Sequence, residues 1–198
     1  MTPIVNQNIT ITGTTRGIGK CLLHRLESAN QIIELNRPEF NLEKIQDMQN
    51  ISFKYTDILI LNAGSLGIGK CLFSEHYQED WIRIIQANLV GNLFLIQKYI
   101  RQRDSGLIVV LSSMRAAKFT DDALVYSAAK TALSMSVSNL RLELKKQNKN
   151  IRLLDVKPSF TKADSSPDPQ DRKVSTYDQV ADGIVAAMTN SQIEELRF

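Results

Sequence analysis

Two patterns of apolar positions alternate along the chain. Short β-rich runs fall at 8–12 (NITIT), 31–35 (QIIEL), 57–61 (DILIL), 107–111 (LIVVL) and 151–156 (IRLLDV). Runs that are apolar almost throughout are those of strands covered on both faces, as in a parallel sheet. Between them the spacing changes to that of helices. Ile18, Leu22, Leu23 and Leu26 share one face, and a long helix is predicted over 78–102 from Trp81, Ile84, Ile85, Leu89, Leu93, Ile96 and Ile100. A second long helix runs from Tyr126 to about Lys146. A third follows Thr176-Tyr177-Asp178-Gln179, a capping box in form, and carries Val180, Ile184, Ala187 and Met188. Residues 192–198 add a last edge strand. This alternation predicts an α/β fold, a doubly wound parallel sheet of six to seven strands with helices on both faces, in one domain over 1–198.

One interval does not fit. A parallel crossover takes a dozen or more residues, and the fold calls for two of them between the second run and the run at 57–61. Only 38–56 is available. One reading makes 42–46 a short third strand, reached by 37–41 alone. Five extended residues reach about 17 Å, and Asp47 then ends that strand beside a bound adenine. The other reading makes 41–50 a helix with Leu42, Ile45 and Met48 inward, and drops the strand. The first is adopted here.

Candidate chemistry sits where strands end. The first run leads into Gly13-Thr14-Thr15-Arg16-Gly17-Ile18-Gly19 and then a helix. Strand, glycine-rich turn and helix together form a dinucleotide cradle: glycines admit the pyrophosphate and the helix N-terminus supplies N–H groups. Gly13, Thr15, Arg16, Gly17, Ile18 and Gly19 are its candidate residues. The second run ends in Asn36-Arg37, where an acidic residue would bind the ribose 2′-hydroxyl of NAD. Here Asn36 is neutral and Arg37 is cationic, with Arg16 nearby. Two guanidiniums suit a 2′-phosphate, so NADP(H) is expected over NAD(H). Asn62-Ala63-Gly64 closes the run at 57–61 with small residues that let a cofactor lie close. Ser112-Ser113 ends the next run and Lys157-Pro158 the one after. Tyr126 and Lys130 are four apart on a helix, hence stacked on one face. A cation beside a phenol lowers its pKa and makes it a usable acid or base.

Composition narrows the options. The chain has 198 residues, 43% hydrophobic and 23% charged, with net charge +3, as expected of a globular protein able to bury a core. Basic residues are scattered with no aromatic-basic stripe, so no nucleic-acid partner is expected. Cys21 and Cys71 are read as reduced thiols. The isolated His24 and His76 leave no zinc site. No apolar run approaches 18 residues and MTPIVNQNIT has no signal-peptide core, so a cytoplasmic protein without a membrane partner is expected.

Taken together, Thr12-Gly13-x-x-x-Gly17-Ile18-Gly19, Asn62-Ala63-Gly64, Asn88, Ser113 and Tyr126-x-x-x-Lys130 resemble the short-chain dehydrogenase/reductase family over roughly 8–163. Ser113 precedes Tyr126 by thirteen residues, the family's usual separation, which selects it over Ser112. The resemblance implies a tetrad. Tyr126 exchanges a proton with a carbonyl oxygen as hydride passes to or from the nicotinamide, and Ser113 donates a hydrogen bond to that oxygen. Lys130 lowers the pKa of Tyr126 and bonds the nicotinamide ribose. Asn88 opens its helix and holds a water in a relay to Lys130. Pro158 and the backbone of Thr161 lie by the carboxamide. There are three departures. The chain is short between Arg37 and Asp57 and at its C-terminus. Leu61 stands in place of the first Asn of an NNAG. Ser159 and Ala163 replace a Gly and a Thr.

Leu66, Ile68, Met114, Arg115, Phe119 and Phe160 are expected to wall a pocket for a small or medium carbonyl or alcohol, with Arg115 available to an anionic group. Residues 161–175 form a polar loop near it. The expected activity is an NADP(H)-dependent carbonyl reductase or alcohol dehydrogenase. A non-catalytic NADPH sensor is the alternative, and an epimerase or dehydratase a third. The long helices resemble the family's dimer helices, and Leu93, Leu95, Val137 and Leu140 on them suggest a homodimer.

Overall fold

A computed structural model describes residues 3–67, 74, 77–117, 123–162 and 174–198. Ile68, Cys71, His76, Phe119, Ala163 and most of the 161–175 loop lie outside the described residues. The strands are β1 (Asn8–Thr12), β2 (Gln31–Leu35), β3 (Ile58–Leu61), β4 (Ser105–Leu111), β5 (Asn150–Lys157), β6 (Thr161–Lys162), β7 (Ser175–Thr176) and β8 (Glu195–Arg197). The helices are α1 (Gly17–Leu26), α2 (Ile45–Gln49), α3 (Gln78–Ile85), α4 (Gly91–Gln102), α5 (Leu124–Lys146) and α6 (Tyr177–Thr189).

Six strands form one parallel sheet in the order β2-β1-β3-β4-β5-β8, and β6 pairs with β7 apart from it. Both faces are covered, which explains the near-continuous apolar runs. Leu59, Leu61, Ile108, Val110, Ile151 and Leu153 face a core shared with α4 and α5. Ile9, Ile11, Ile58, Ile60, Val109 and Val156 face the other, shared with α1 and α6. The chain leaves β1 toward β2 and then returns past it to β3, so the order reverses between β1 and β3. A crevice opens at the carboxyl ends of strands at such a point.

The expected third strand is not present, and β2 is a sheet edge with Ile33 53% exposed. The chain between β2 and β3 instead uses its apolar residues as anchors against α4. Phe40, Leu42, Met48 and Phe53 are all buried there. The rival helical reading holds only in part: α2 is five residues long, Leu42 precedes it and Ile45 is 43% exposed. Lys98 Nζ donates to the terminal carbonyls of α2, Met48 O at 3.1 Å and Gln49 O. Asp47 therefore ends no strand. It lies in α2, and its carboxylate accepts the backbone N–H of Asn41 at 2.9 Å, fixing the turn before the helix.

The long helix predicted over 78–102 is continuous, but residues Gln86–Val90 are wound as a π-helix between α3 and α4. Asn88 lies inside that segment. Leu95 and Val137, which fit either a dimer face or the core by sequence, are fully buried core residues. The capping box at Thr176 is formed in both directions. No helix among the described residues is long and apolar enough to cross a membrane.

Candidate active site

The carboxyl ends of β1, β2 and β3 border a cleft of about 430 Å³, and those of β4 and β5 a second of 340 Å³. Asn62, Gly64, Ser65 and Leu66 line both, so the two are lobes of one groove crossing the switch point.

The first lobe begins at the glycine-rich turn. Gly13 and Gly17 have φ of +74° and +59°, the left-handed region that glycine adopts without steric cost. A Cβ on Gly19 would stand 2.0 Å from the Gly13 carbonyl oxygen. The turn is braced from β3: Asn62 Nδ2 donates to Gly13 O at 2.6 Å, and Thr12 Oγ1 accepts the backbone N–H groups of Asn62 and Ala63. It is braced also from β2, where Asn36 Oδ1 accepts the Thr14 N–H at 2.9 Å and Asn36 Nδ2 donates to Thr14 Oγ1. The amide of Asn36 thus holds the turn in shape while also lining the lobe.

At α1 the N-cap Arg16 makes no side-chain cap bond, and the first turn carries no acidic residue. The leading N–H groups of α1 are left for an outside acceptor, with the positive end of the helix dipole behind them. A phosphate-bearing dinucleotide fits this arrangement. Gly13, Thr15, Arg16, Asn36, Arg37, Ala63 and Gly64 line the lobe as expected, and Asp47 does not. Leu35, Phe40, Asn41, Leu42 and Ser65 line it without having been anticipated. The signal was available: Phe40 and Leu42 flank Asn41 two apart, as on one face of an extended segment. Arg37 is not a free cation. Its guanidinium meets Glu43 at 2.7 Å, and Arg83 shares that carboxylate at 3.3 Å.

The second lobe gathers Ile18, Ser113, Arg115, Tyr126, Lys130, Pro158, Phe160 and Thr161. Of the expected walls, Leu66, Arg115 and Phe160 are in place, with the Arg115 guanidinium 5.4 Å from the Phe160 ring, while Met114 does not line it. Ser113 follows β4 and caps a short 3₁₀ turn, its Oγ accepting the Arg115 N–H at 3.1 Å. Ser113 and Tyr126 both line the lobe, and the Ser113 side chain also acts as a hydrogen-bonding neighbour on the Tyr126 phenol. Ser112 turns away from it, its Oγ donating to Asp155 at 2.5 Å. One helical turn after Tyr126, Lys130 is buried with Nζ 5.7 Å from the Tyr126 ring centre, donating to Leu111 O at 2.8 Å. Asn88 clamps the loop after β3: Nδ2 donates to Ser65 O at 2.5 Å and Oδ1 accepts the Ser65 N–H at 3.2 Å. Gly64 lies against both, since a Cβ there would stand 2.7 Å from Asn88 Oδ1 and 3.4 Å from Lys130 Nζ.

The electrostatics differ from the simple expectation of a phenol acidified by its lysine. Burial pushes the Tyr126 phenol above its usual range, against the pull of the Ser113 bond and the charge of Arg115. Burial also pushes the Lys130 ammonium down to about 8, opposed by the charge of Asp155. Desolvation disfavours the charged form of each group. At neutral pH, Tyr126 is accordingly a protonated donor.

Among proteins of known sequence or structure, a model of the family described as short chain dehydrogenase matches residues 41–173. An oxidoreductase of Staphylococcus saprophyticus is 26% identical over 187 residues, covering 80% of this chain and 75% of that protein. The L-xylulose reductase of Caenorhabditis elegans is 28% identical over 196 residues, covering 82% and 75%. A short chain dehydrogenase from Burkholderia cenocepacia, solved in complex with NADP, superimposes with a TM-score of 0.81 at 18% identity, covering all of this chain and 90% of its own. The protein lin1944 from Listeria innocua has a TM-score of 0.81 at 16% identity, covering 96% of this chain and 98% of its own.

Proposed function

The chain belongs to the short chain dehydrogenase family, and from that premise we propose that it is an NADP(H)-dependent reductase of small or medium carbonyl compounds with Tyr126 as its general acid. The observation that carries this reading is the convergence of Ser113, Tyr126 and buried Lys130 in one lobe, continuous with the uncapped start of α1. When bound, the nicotinamide supplies and accepts the hydride.

Each residue then has a task. Gly13, Thr15, Gly17, Ile18 and Gly19 leave room for the pyrophosphate and present backbone donors to it. Arg16 and Arg37 face the ribose 2′-phosphate. Asn41 and Leu42 take the adenine side in place of Asp47. Ala63 and Gly64 let the cofactor lie against β3, and Pro158 and Thr161 flank the carboxamide. Tyr126 gives its proton to the substrate oxygen while the Ser113 hydroxyl donates to the same atom. Lys130 reaches the nicotinamide ribose. Asn88, itself in the π-helical turn, holds Ser65 and so keeps the loop between the lobes in place, and it would hold a relay water to Lys130. The Burkholderia cenocepacia neighbour, solved with NADP bound, supports the cofactor choice.

Fluorescence titration of the purified protein tests the cofactor reading. NADPH is expected to bind more tightly than NADH. Arg37→Ala should weaken NADPH about tenfold, roughly one charge-assisted bond at an exposed site, and leave NADH unchanged. Equal losses for both would overturn the 2′-phosphate role; failure of both to bind would remove the enzyme reading.

The same reading includes a homodimer built on α4 and α5. Met135 and Leu142 on α5 are 61% and 65% exposed, and α4 and α5 also form a groove walled by Leu93, Ile100 and Leu140. Apolar groups so placed gain by contact with a second copy. Sedimentation velocity at micromolar concentration should show a dimer, with Leu142→Glu shifting it to monomer. A monomer in the unaltered protein would sink the proposal.

A further inference from the structure

Behind the site lies a charged cluster to which the reaction above assigns no part. Asp155, near the end of β5, is 1% exposed. Each of its carboxylate oxygens is held by a serine from an element that carries the reacting groups. Ser112 Oγ donates to Oδ1 at 2.5 Å, and Ser134 Oγ to Oδ2 at 2.7 Å. Ser112 lies between Leu111, whose carbonyl holds Lys130 Nζ, and Ser113, whose hydroxyl meets Tyr126. Ser134 is one helical turn beyond Lys130 on α5. The carboxylate thus joins β4, β5 and α5 at the point where they converge on the lysine. A buried carboxylate is costly unless bonded and opposed by charge. Two hydroxyls satisfy its hydrogen-bonding capacity only in part, so cations must balance it.

Two buried cations are available. Lys157, two residues on, has Nζ 3.5 Å from Asp155 Oδ2 and 2.5 Å from Glu195 Oε2 on β8. Glu195 is in turn paired with Arg197 at 2.5 Å. Lys157 therefore already has a more exposed carboxylate as its close partner. Lys130 Nζ donates to the neutral Leu111 carbonyl at 2.8 Å, and among the described residues no carboxylate is in ion-pair contact with it. Among the described residues, the titratable and charged groups that bear on Lys130 or share its lobe are Tyr126 on its own helix, Asp155 on β5 and Arg115 after β4, with Lys157, Glu195 and Arg197 reached through Asp155.

Resting on the reading of Lys130 given above, we propose that Asp155 is a positioning residue: it is the buried counter-charge that keeps Lys130 an ammonium, with Lys157 and Glu195 setting how much of that charge Lys130 receives. The opposing influence of Asp155 on the burial of Lys130 agrees in direction.

The test reads Lys130 directly and needs no substrate. Lysine labelled with carbon-13 at the ε carbon is introduced, the Lys130 signal is assigned by its loss in Lys130→Met, and its shift is followed against pH by NMR. Asp155→Asn keeps the shape and removes the charge, so the Lys130 midpoint should fall by about one unit or more. Lys157→Met removes the competing cation, so the midpoint should rise. A clamp that only held strands together would not move the two midpoints in opposite directions. An unmoved midpoint in Asp155→Asn, or an unmoved or lowered one in Lys157→Met, overturns the proposal. If Asp155→Asn does not fold, Lys157→Met decides alone. A protein that turned over no carbonyl would still give these midpoints, so failure of the reductase reading is distinguishable from failure of this one.

Discussion

Tyr126→Phe leaves NADPH binding within about twofold and lowers carbonyl reduction by roughly 10²–10⁴, the range of a lost general acid. The phenyl ring keeps the packing of a half-buried side chain, and Lys130 keeps its bond to Leu111 O. Only the hydroxyl is removed, and with it the group on which Ser113 and Arg115 act. A titration of NADPH followed by steady-state assay of both proteins separates the effects. Loss of turnover with retained binding places Tyr126 in the chemical step. Unchanged function would instead favour a protein that senses NADPH without reducing anything. The pH profile carries a sign. Burial raises the phenol's pKa, so the protonated donor persists through neutral pH. Reduction should therefore hold its rate there and fall only on the alkaline side.

Gly19→Ala should be the most damaging single methyl group in the cofactor lobe. Its Cβ would stand 2.0 Å from Gly13 O and 2.4 Å from Asn62 Nδ2, the two atoms whose bond braces the turn. Neither atom is the end of a flexible side chain free to swing aside, so the turn must open. Overpacking with loss of a buried hydrogen bond costs about 2–4 kcal/mol, measurable as a lower urea midpoint. NADPH affinity should fall about 100-fold or more, because the backbone donors no longer converge on one phosphate. Gly17→Ala is the contrast. A Cβ there meets only the Tyr177 ring at 3.9 Å, but φ is +59°, so the cost is the backbone penalty alone, about 1 kcal/mol. Equal unfolding midpoints for the two variants would show that the turn tolerates the Gly19 methyl, against this geometry.

Much of this was legible along the chain because it is local. The strand boundaries at 8–12 and 31–35 match those observed: the first belongs to a doubly covered parallel strand that writes its burial into its composition, and the second, an exposed edge strand, shows in the β-forming residues Ile32 and Ile33 between polar turns. Thr176 and Gln179 announced their helix because both halves of a capping box lie within four residues. Tyr126 and Lys130 share a face because helical geometry requires it. The segment at 38–56 was misread for the opposite reason. Leu42 and Met48 satisfy a strand or a helix equally well, and the choice was made by what they could reach. Phe40, Leu42, Met48 and Phe53 found cover on α4, and Lys98 capped the short helix that resulted.

The sequence by itself determined the alternation of strands and helices, the cradle at Gly13–Gly19 and the shared face of Tyr126 and Lys130, because each rests on spacing within one element or at its end, while Ser113 was selected by its family resemblance. Only the tertiary structure decided the charges. Arg37 meets Glu43, Arg115 bears on the Tyr126 phenol, and Asp155 comes to act on Lys130 with Ser112 and Ser134 upon it. Those contacts join residues far apart in the chain. Their strength is set by how completely water is excluded, which exists only once the sheet and its helices have closed around them.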